Sequence, residues 1–287
     1  MSSAGKGHAT ALGAGAVLLW SVLALLTVGA SRVPPFQLLA LSFAIATALG
    51  FFLSLHRNKP LLSAIRDHPG AALLTTGALA GYHFFYFVAL RTAPAVDASL
   101  IAYLWPLLIV VFAGLAHGGL RAAHLAGAVL GLAGAWLLLS ARGNLELDSA
   151  YAVGYGAAVA CALIWSSYSV ANRRFAHAPV EVVTVACAAT ALLGLALHAG
   201  LESWYVPSTR EWLFVALLGL GPVGAAFFLW DYGTKHGNLA LLGVTSYAAP
   251  VLSTVFLVLA GTAAPTWQLA LSALLVAGGA ALASRKA

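Results

Sequence analysis

Residues 103–106 read Tyr103-Leu104-Trp105-Pro106, and at an offset of 144 the chain reads Tyr247-Ala248-Ala249-Pro250. Both tetrapeptides lie inside apolar runs. A proline is unexpected there, because it lacks an amide hydrogen and pushes away the carbonyl four residues earlier. The same offset pairs Gly77 with Gly221, Arg91 with Lys235, Gly134 with Gly278 and Ser140 with Ser284. An offset of 145 sets Leu19-Trp20-Ser21 on Ile164-Trp165-Ser166. Matches at one near-constant spacing, half the 287-residue length, read as an internal duplication with units at residues 1–145 and 146–287.

Working outward, the composition names the solvent. Hydrophobic residues make up 62% of the chain and charged residues 8%, against roughly 25% charged in a soluble domain. Such a chain is solvated by lipid, with apolar residues outside as well as within. Runs of spanning length fall near 10–30, 35–55, 70–91, 97–116, 121–141, 150–173, 179–200, 210–234, 239–261 and 265–284. Short connections such as Ser31-Arg32-Val33-Pro34-Pro35 and His56-Arg57-Asn58-Lys59-Pro60 separate them. The expected fold class is an all-α polytopic membrane protein of ten transmembrane helices. Lys6, the first run and Val28-Gly29-Ala30 imitate a signal peptide, but Thr10 to Ala30 is long enough to span and the repeat requires it.

Five helices per unit is an odd number, so the second unit must enter the bilayer from the opposite side. The repeats are therefore expected to be inverted, an arrangement recurrent in secondary transporters. With both termini on the cytoplasmic side, that side holds Lys6, Arg57, Lys59, Arg66, Arg121, Arg173, Arg174, Lys235, Arg285 and Lys286. The outer side holds only Arg32, Arg91, Arg142 and Arg210. The bias predicts a multi-pass protein of a bacterial inner membrane with both termini cytoplasmic.

Candidate binding residues gather where helices should break. Pro106 and Pro250 free the carbonyls of Ala102 and Ser246 and set Tyr103 and Tyr247 beside them. A ligand cavity and a purely structural kink both account for this. Tyr82, His83 and Tyr86 share one face of the third helix. A histidine bonded to a neighbouring helix and a cavity-lining one both remain open for His83. Trp20, Trp105 and Trp165 lie near mid-run, unlike Trp204, Trp212 and Trp267, which read as interfacial belt residues. Gly219-Leu220-Gly221-Pro222-Val223-Gly224 reads equally as a hinge and as a tight helix crossing. Leu138 reads as lipid-facing, and Cys161 and Cys187 as small buried hydrophobes.

Missing features narrow the chemistry. No carboxylate falls in the candidate cavity, where a charge would mark an ion or proton path. Asp231 lies one turn before Lys235 and is expected to pair with it, whereas Asp97 sits near the outer start of the fourth helix. The chain lacks HExxH, GxSxG, paired carboxylates and a phosphate loop. No cofactor, metal or nucleic-acid role is expected, and a transporter is favoured over an enzyme or a channel. The expected partners are a small-molecule substrate and the lipid bilayer, with monomer and homodimer both open. A neutral or zwitterionic solute with a large apolar part suits the candidate lining.

Leu19-Trp20-Ser21, the link Ala89-Leu90-Arg91-Thr92-Ala93-Pro94-Ala95 and Tyr103-Leu104-Trp105-Pro106 together resemble the EamA branch of the drug/metabolite transporter superfamily. The resemblance covers essentially the whole chain. Tyr82-His83-Phe84-Phe85-Tyr86 is most similar to members that export aromatic and other neutral amino acids. The alternatives to amino-acid export are an exporter of other small metabolites or drugs and, less so, an intramembrane enzyme or a channel. The resemblance implies export by alternating access, with helices one, three, four, six, eight and nine around a cavity and five and ten as scaffold. Ala249, where the repeat mate is Trp105, departs from symmetry and makes the two sides of that cavity unequal.

Overall fold

A computed structural model describes residues 3–117, 121–141 and 148–284 of the chain. Arg142, Glu146, Arg285 and Lys286, and the repeat boundary expected between 145 and 146, lie outside the described residues. Among the described residues, ten helices are long and apolar enough to cross a membrane: α1 Ala4–Gly29, α2 Pro35–His56, α3 Pro69–Thr92, α4 Ala95–Ala116, α5 Ala122–Ser140, α6 Ser149–Phe175, α7 Glu181–Leu201, α8 Thr209–His236, α9 Leu239–Leu259 and α10 Trp267–Ser284. The expected runs are all present, with ends moved by a few residues.

Several ends are set by chemistry that the sequence carries. Pro35 and Pro69 open α2 and α3, at a position where a missing amide hydrogen costs nothing. Ser208 and Glu211 form a reciprocal capping box at α8, and the Asn238 side chain accepts from the Leu241 amide at α9. At the start of α2 the cap comes from far along the chain. The Glu202 carboxylate accepts from the amides of Phe36 and Gln37 at 3.0 and 3.1 Å, and it is held by His198 at 2.9 Å. An anion at a helix N-terminus meets both free amides and the positive end of the dipole.

The most extensive packing pairs α1 with α8, α2 with α7, α3 with α6 and α5 with α10, and α4 also meets α9 over a smaller contact. Advancing each helix by five places turns α1–α8 into α6–α3 and returns the other three pairs to themselves. That is the pattern a twofold relation between halves would leave. The α5–α10 contact brings backbone against backbone. A Cβ on Gly127 would lie 2.5 Å from the Gly279 carbonyl oxygen, and Ser272 Oγ donates to the Gly134 carbonyl at 2.8 Å.

Two ends of the bundle can be told apart. At one, the end of α3 meets the start of α6: Gly154 abuts Ala93, and Tyr155 Oη donates to Asp97 Oδ2 at 3.1 Å. At the other, where α1 begins, the Asn238 amide donates to Thr10 Oγ1 at 2.9 Å, and Gly13 of α1 packs on Gly233 of α8.

Cys161 and Cys187 are buried, and Trp204 and Trp267 are exposed, as their positions led one to expect. Leu138 corrects an expectation. It is 3% exposed within a cluster that also holds Val110, Tyr247 and Val276, because the outer-looking face of α5 is covered by α10. Leu73, Leu115, Leu259 and Leu274 are among the strongly exposed leucines.

Candidate functional site

Four tryptophans meet near the middle of the bundle. Trp20 of α1 lies 6.4 Å from Trp105 of α4, 5.8 Å from Trp165 of α6 and 5.1 Å from Trp230 of α8, measured between ring centroids. Phe227 touches Trp20, Trp165, Phe43 and His83. Tyr82 continues the cluster, 5.6 Å from Trp165 and stacked on Tyr86 at 5.9 Å. Aromatic pairs at such spacings add about 0.5–1.5 kcal/mol each beyond the area they bury.

Local backbone breaks bring these rings inward. α4 is interrupted between Ala102 and Trp105, and α9 between Ser246 and Ala248, each just before its proline. The broken helices touch through Gly243, where a Cβ would come 2.8 Å from the Pro106 carbonyl oxygen. In α8, Gly221–Ala225 forms a π-helical turn, of a kind frequent at functional sites. The Trp20 indole donates to the Pro222 carbonyl at 3.0 Å, which anchors α1 to that turn. Gly219 also presses on α2, its would-be Cβ 2.6 Å from Ile45, so the irregular turn and the tight crossing coexist.

The polar atoms divide by end. His83 Nδ1 donates to the Leu79 carbonyl at 2.7 Å, which turns Nε2 into the ring's acceptor. His83, Tyr82, Tyr86, Tyr103 and Trp20 are half-buried. Trp105, Trp165, Tyr168 and Trp230 are buried. The half-buried tyrosines and His83 thus mark the side of the cluster facing the α3–α6 end, here its open side. The buried rings mark the side toward Thr10 and Asn238, its closed side, where a separate cavity lined by Phe112, Ala116, Val170 and Arg174 lies between α4 and α6. A solute entering from the open side would meet hydroxyls and an imidazole before a floor of indoles.

The sequence-derived set separates into two groups. Trp20, Tyr82, His83, Tyr86, Trp105 and Trp165 come together in one ring cluster, and Tyr103 stands at the α4 break next to it. Ser246 and Tyr247 go elsewhere. Ser246 Oγ donates to the Leu242 carbonyl of its own helix at 2.7 Å. Tyr247 is fully buried against Gly131 of α5, and its hydroxyl accepts from the Leu107 amide at 3.1 Å. It supports the proline break in α4 from behind. Pro106 and Pro250 are both buried at the interrupted segments.

Phe227 and Trp230 were missed, although the repeat contained the signal. The 144-residue offset carries His83 onto Phe227 and Tyr86 onto Trp230. Asn172 had no such signal, since its partners Asp231 and Thr234 lie on another helix. Among the described residues, no group of three or more His, Cys, Asp or Glu is set to hold a metal ion.

Known proteins agree with this architecture. A protein of Ancylobacter novellus described as an aromatic amino acid exporter, YddG, is 52% identical over 281 residues, covering 97% of this chain and 98% of its own. Proteins of the same description from Salmonella typhimurium and Escherichia coli are 29% and 27% identical over 86% and 96% of the chain, and the same shares of their own. A crystal structure at 52% identity superimposes with a TM-score of 0.93 over 97% of both chains. The sequence profile of the EamA-like transporter family matches twice, at residues 8–140 and 152–285, and the chain belongs to that family.

Proposed function

We propose that the chain exports aromatic and other large apolar amino acids across a bacterial inner membrane by alternating access. The observation that carries this reading is the half-open ring cluster, an indole floor with hydroxyl and imidazole groups on its accessible side. A substrate ring that buries about 150–200 Å² there would gain about 4–5 kcal/mol gross, and the loss of translational freedom would offset much of it. Net binding stays weak, as turnover requires. His83 Nε2 and the hydroxyls of Tyr82, Tyr86 and Tyr103 suit the ammonium and carboxylate of a zwitterion.

The same reading takes residues 1–145 and 146–287 as inverted repeats, with both termini in the cytoplasm. The paired packing of helices and the double family match support the repeats, and the ten-to-four excess of Lys and Arg supports the orientation. The open side of the cluster then faces outward. Proteoliposomes carrying the purified chain should take up labelled Phe, Trp, Thr or Met above empty liposomes. Uptake of nucleotide sugars or quaternary cations with none of the amino acids would replace the substrate assignment, and no uptake of any solute would remove it.

A further inference from the structure

The closed end of the bundle contains charges where apolar side chains would seal it at lower cost. Asp231 and Lys235 of α8 form an ion pair at 2.8 Å with both side chains 2% exposed. Asn172 of α6 donates through Nδ2 to Asp231 Oδ1 and to Thr234 Oγ1, each at 3.0 Å. Lys235 Nζ also donates to the Ala178 carbonyl at 3.1 Å, and Arg173 bonds the Gly237 carbonyl. These bonds tie the end of α6 to the end of α8, while Asn238 bonds α1 through Thr10.

Desolvating an ion pair costs several kcal/mol per ion and is repaid only with good geometry, so such a pair is a poor device for stability alone. This network is also incompletely satisfied. Asn172 Oδ1 and Arg173 Nε are buried without a hydrogen-bond partner, a costly state for a permanent seal. The repeat supplies a contrast at the other end. Arg91, the mate of Lys235, is exposed, and the mate of Asp231 is Phe87. The cation is free of burial at the open end and locked at the closed end.

The network also adjoins the ring cluster. Trp230 precedes Asp231, and its indole donates to Ser169 Oγ at 3.1 Å, which itself donates to the Trp165 carbonyl at 2.7 Å. The floor of the cluster and the charged tie are thus consecutive on α8 and linked on α6.

We propose that the Asp231–Lys235 pair, gripped by Asn172 and the Ala178 carbonyl, is a latch that holds this end shut and must open for the cluster to face the side on which α1 begins. The proposal rests on the transport reading. Opening would hydrate both charges, and that recovered hydration lowers the cost of breaking the pair.

Spin labels at the exposed positions His177 and Tyr232 would report the separation of α6 and α8 in liposomes. The single substitution Asp231→Asn, at near-constant volume, leaves Lys235 charged and buried without its counter-ion when this end is shut, and hydrated when it is open. It should raise the population with the longer distance at least about tenfold, the factor given by a 1.4 kcal/mol change in the balance. A distribution identical to that of the unsubstituted chain would overturn the latch. Where that variant does not fold, the unsubstituted chain decides. Labelling of Lys235 by an impermeant amine reagent, read by peptide mass against Lys6, should rise several-fold when Phe is supplied and transported. Lys235 that stays unreactive during measured Phe flux would overturn the latch while leaving transport intact. Absent flux with Phe, Trp, Thr and Met would instead count against the transport reading.

Discussion

At the 144-residue offset His83 falls on Phe227 and Tyr86 on Trp230, yet the two helices that carry them do opposite things. The α3 pair has polar tips and is half-buried. On α8, Phe227 and Trp230 are nearly or wholly buried among other rings, one turn from a charged network. The same division recurs between α4 and α9. Trp105 enters the cluster edge-on to Trp20 and Trp230, whereas Ala249 fills its mate's place and Tyr247 turns away to bond the Leu107 amide. Duplication preserved where the backbone breaks, and divergence decided what each break holds. The first half carries the half-buried polar-tipped rings and lends Trp105 to the indole floor, and the second half supplies Trp165 and Trp230 of that floor together with the charged network.

The largest effect should come from the floor. Trp165→Ala and Trp230→Ala, measured as Phe flux at equal protein level, should each lose at least about tenfold, because either removes a ring touching several others. Cavity formation will also cost stability, about 3–5 kcal/mol for a buried aromatic. Leu73→Ala on the outer face is the proper control. If the tryptophan variants transport as Leu73→Ala does, the cluster is packing and the comparison of halves has no functional content.

A middle effect should distinguish the breaks themselves. Pro106→Ala and Pro250→Ala each restore an amide donor and favour a continuous helix. Flux should fall several-fold while expression changes little. Full activity in both would make the interruptions architectural, whereas loss in only one would show which half moves.

The smallest effect sharpens the tyrosine pair. Tyr247→Phe leaves the Leu107 amide without its buried acceptor, a loss of about 1–3 kcal/mol that thermal denaturation should detect, with the KM for Phe unchanged. Tyr103→Phe, at a half-buried position, should do the reverse, raising KM with a smaller loss of stability. Equal behaviour of the two would mean that the halves have not divided their roles.

Much of this was legible before any coordinates. Ten spans and the matched prolines follow from run lengths and letters, and six of the nine candidate binding residues meet in one cluster. The failures have a common cause. In lipid the outside of a helix is as apolar as its inside, so periodicity carries little information about which face is covered. Leu138 read as outward for that reason, and Tyr247 read as cavity-lining because a tyrosine beside a proline looks the same from either side. Phe227 was hidden by having no polar tip to mark it, and Trp230 by its place beside Asp231 near the end of its run. Asn172 needed a contact between α6 and α8, which no local pattern encodes.

The Gly127–Gly279 crossing has a mechanical consequence. With a carbonyl oxygen 2.5 Å from where a Cβ would sit, and with Ser272 bonded across the seam, α5 and α10 have no clearance in which to slide. Under the proposed transport reading they would serve as the stator, with the rotor sought among the six helices that carry the rings. A rigid handle grafted onto that seam, for imaging or for force measurement, would move with the frame and leave the stroke of the other helices free to be read against it.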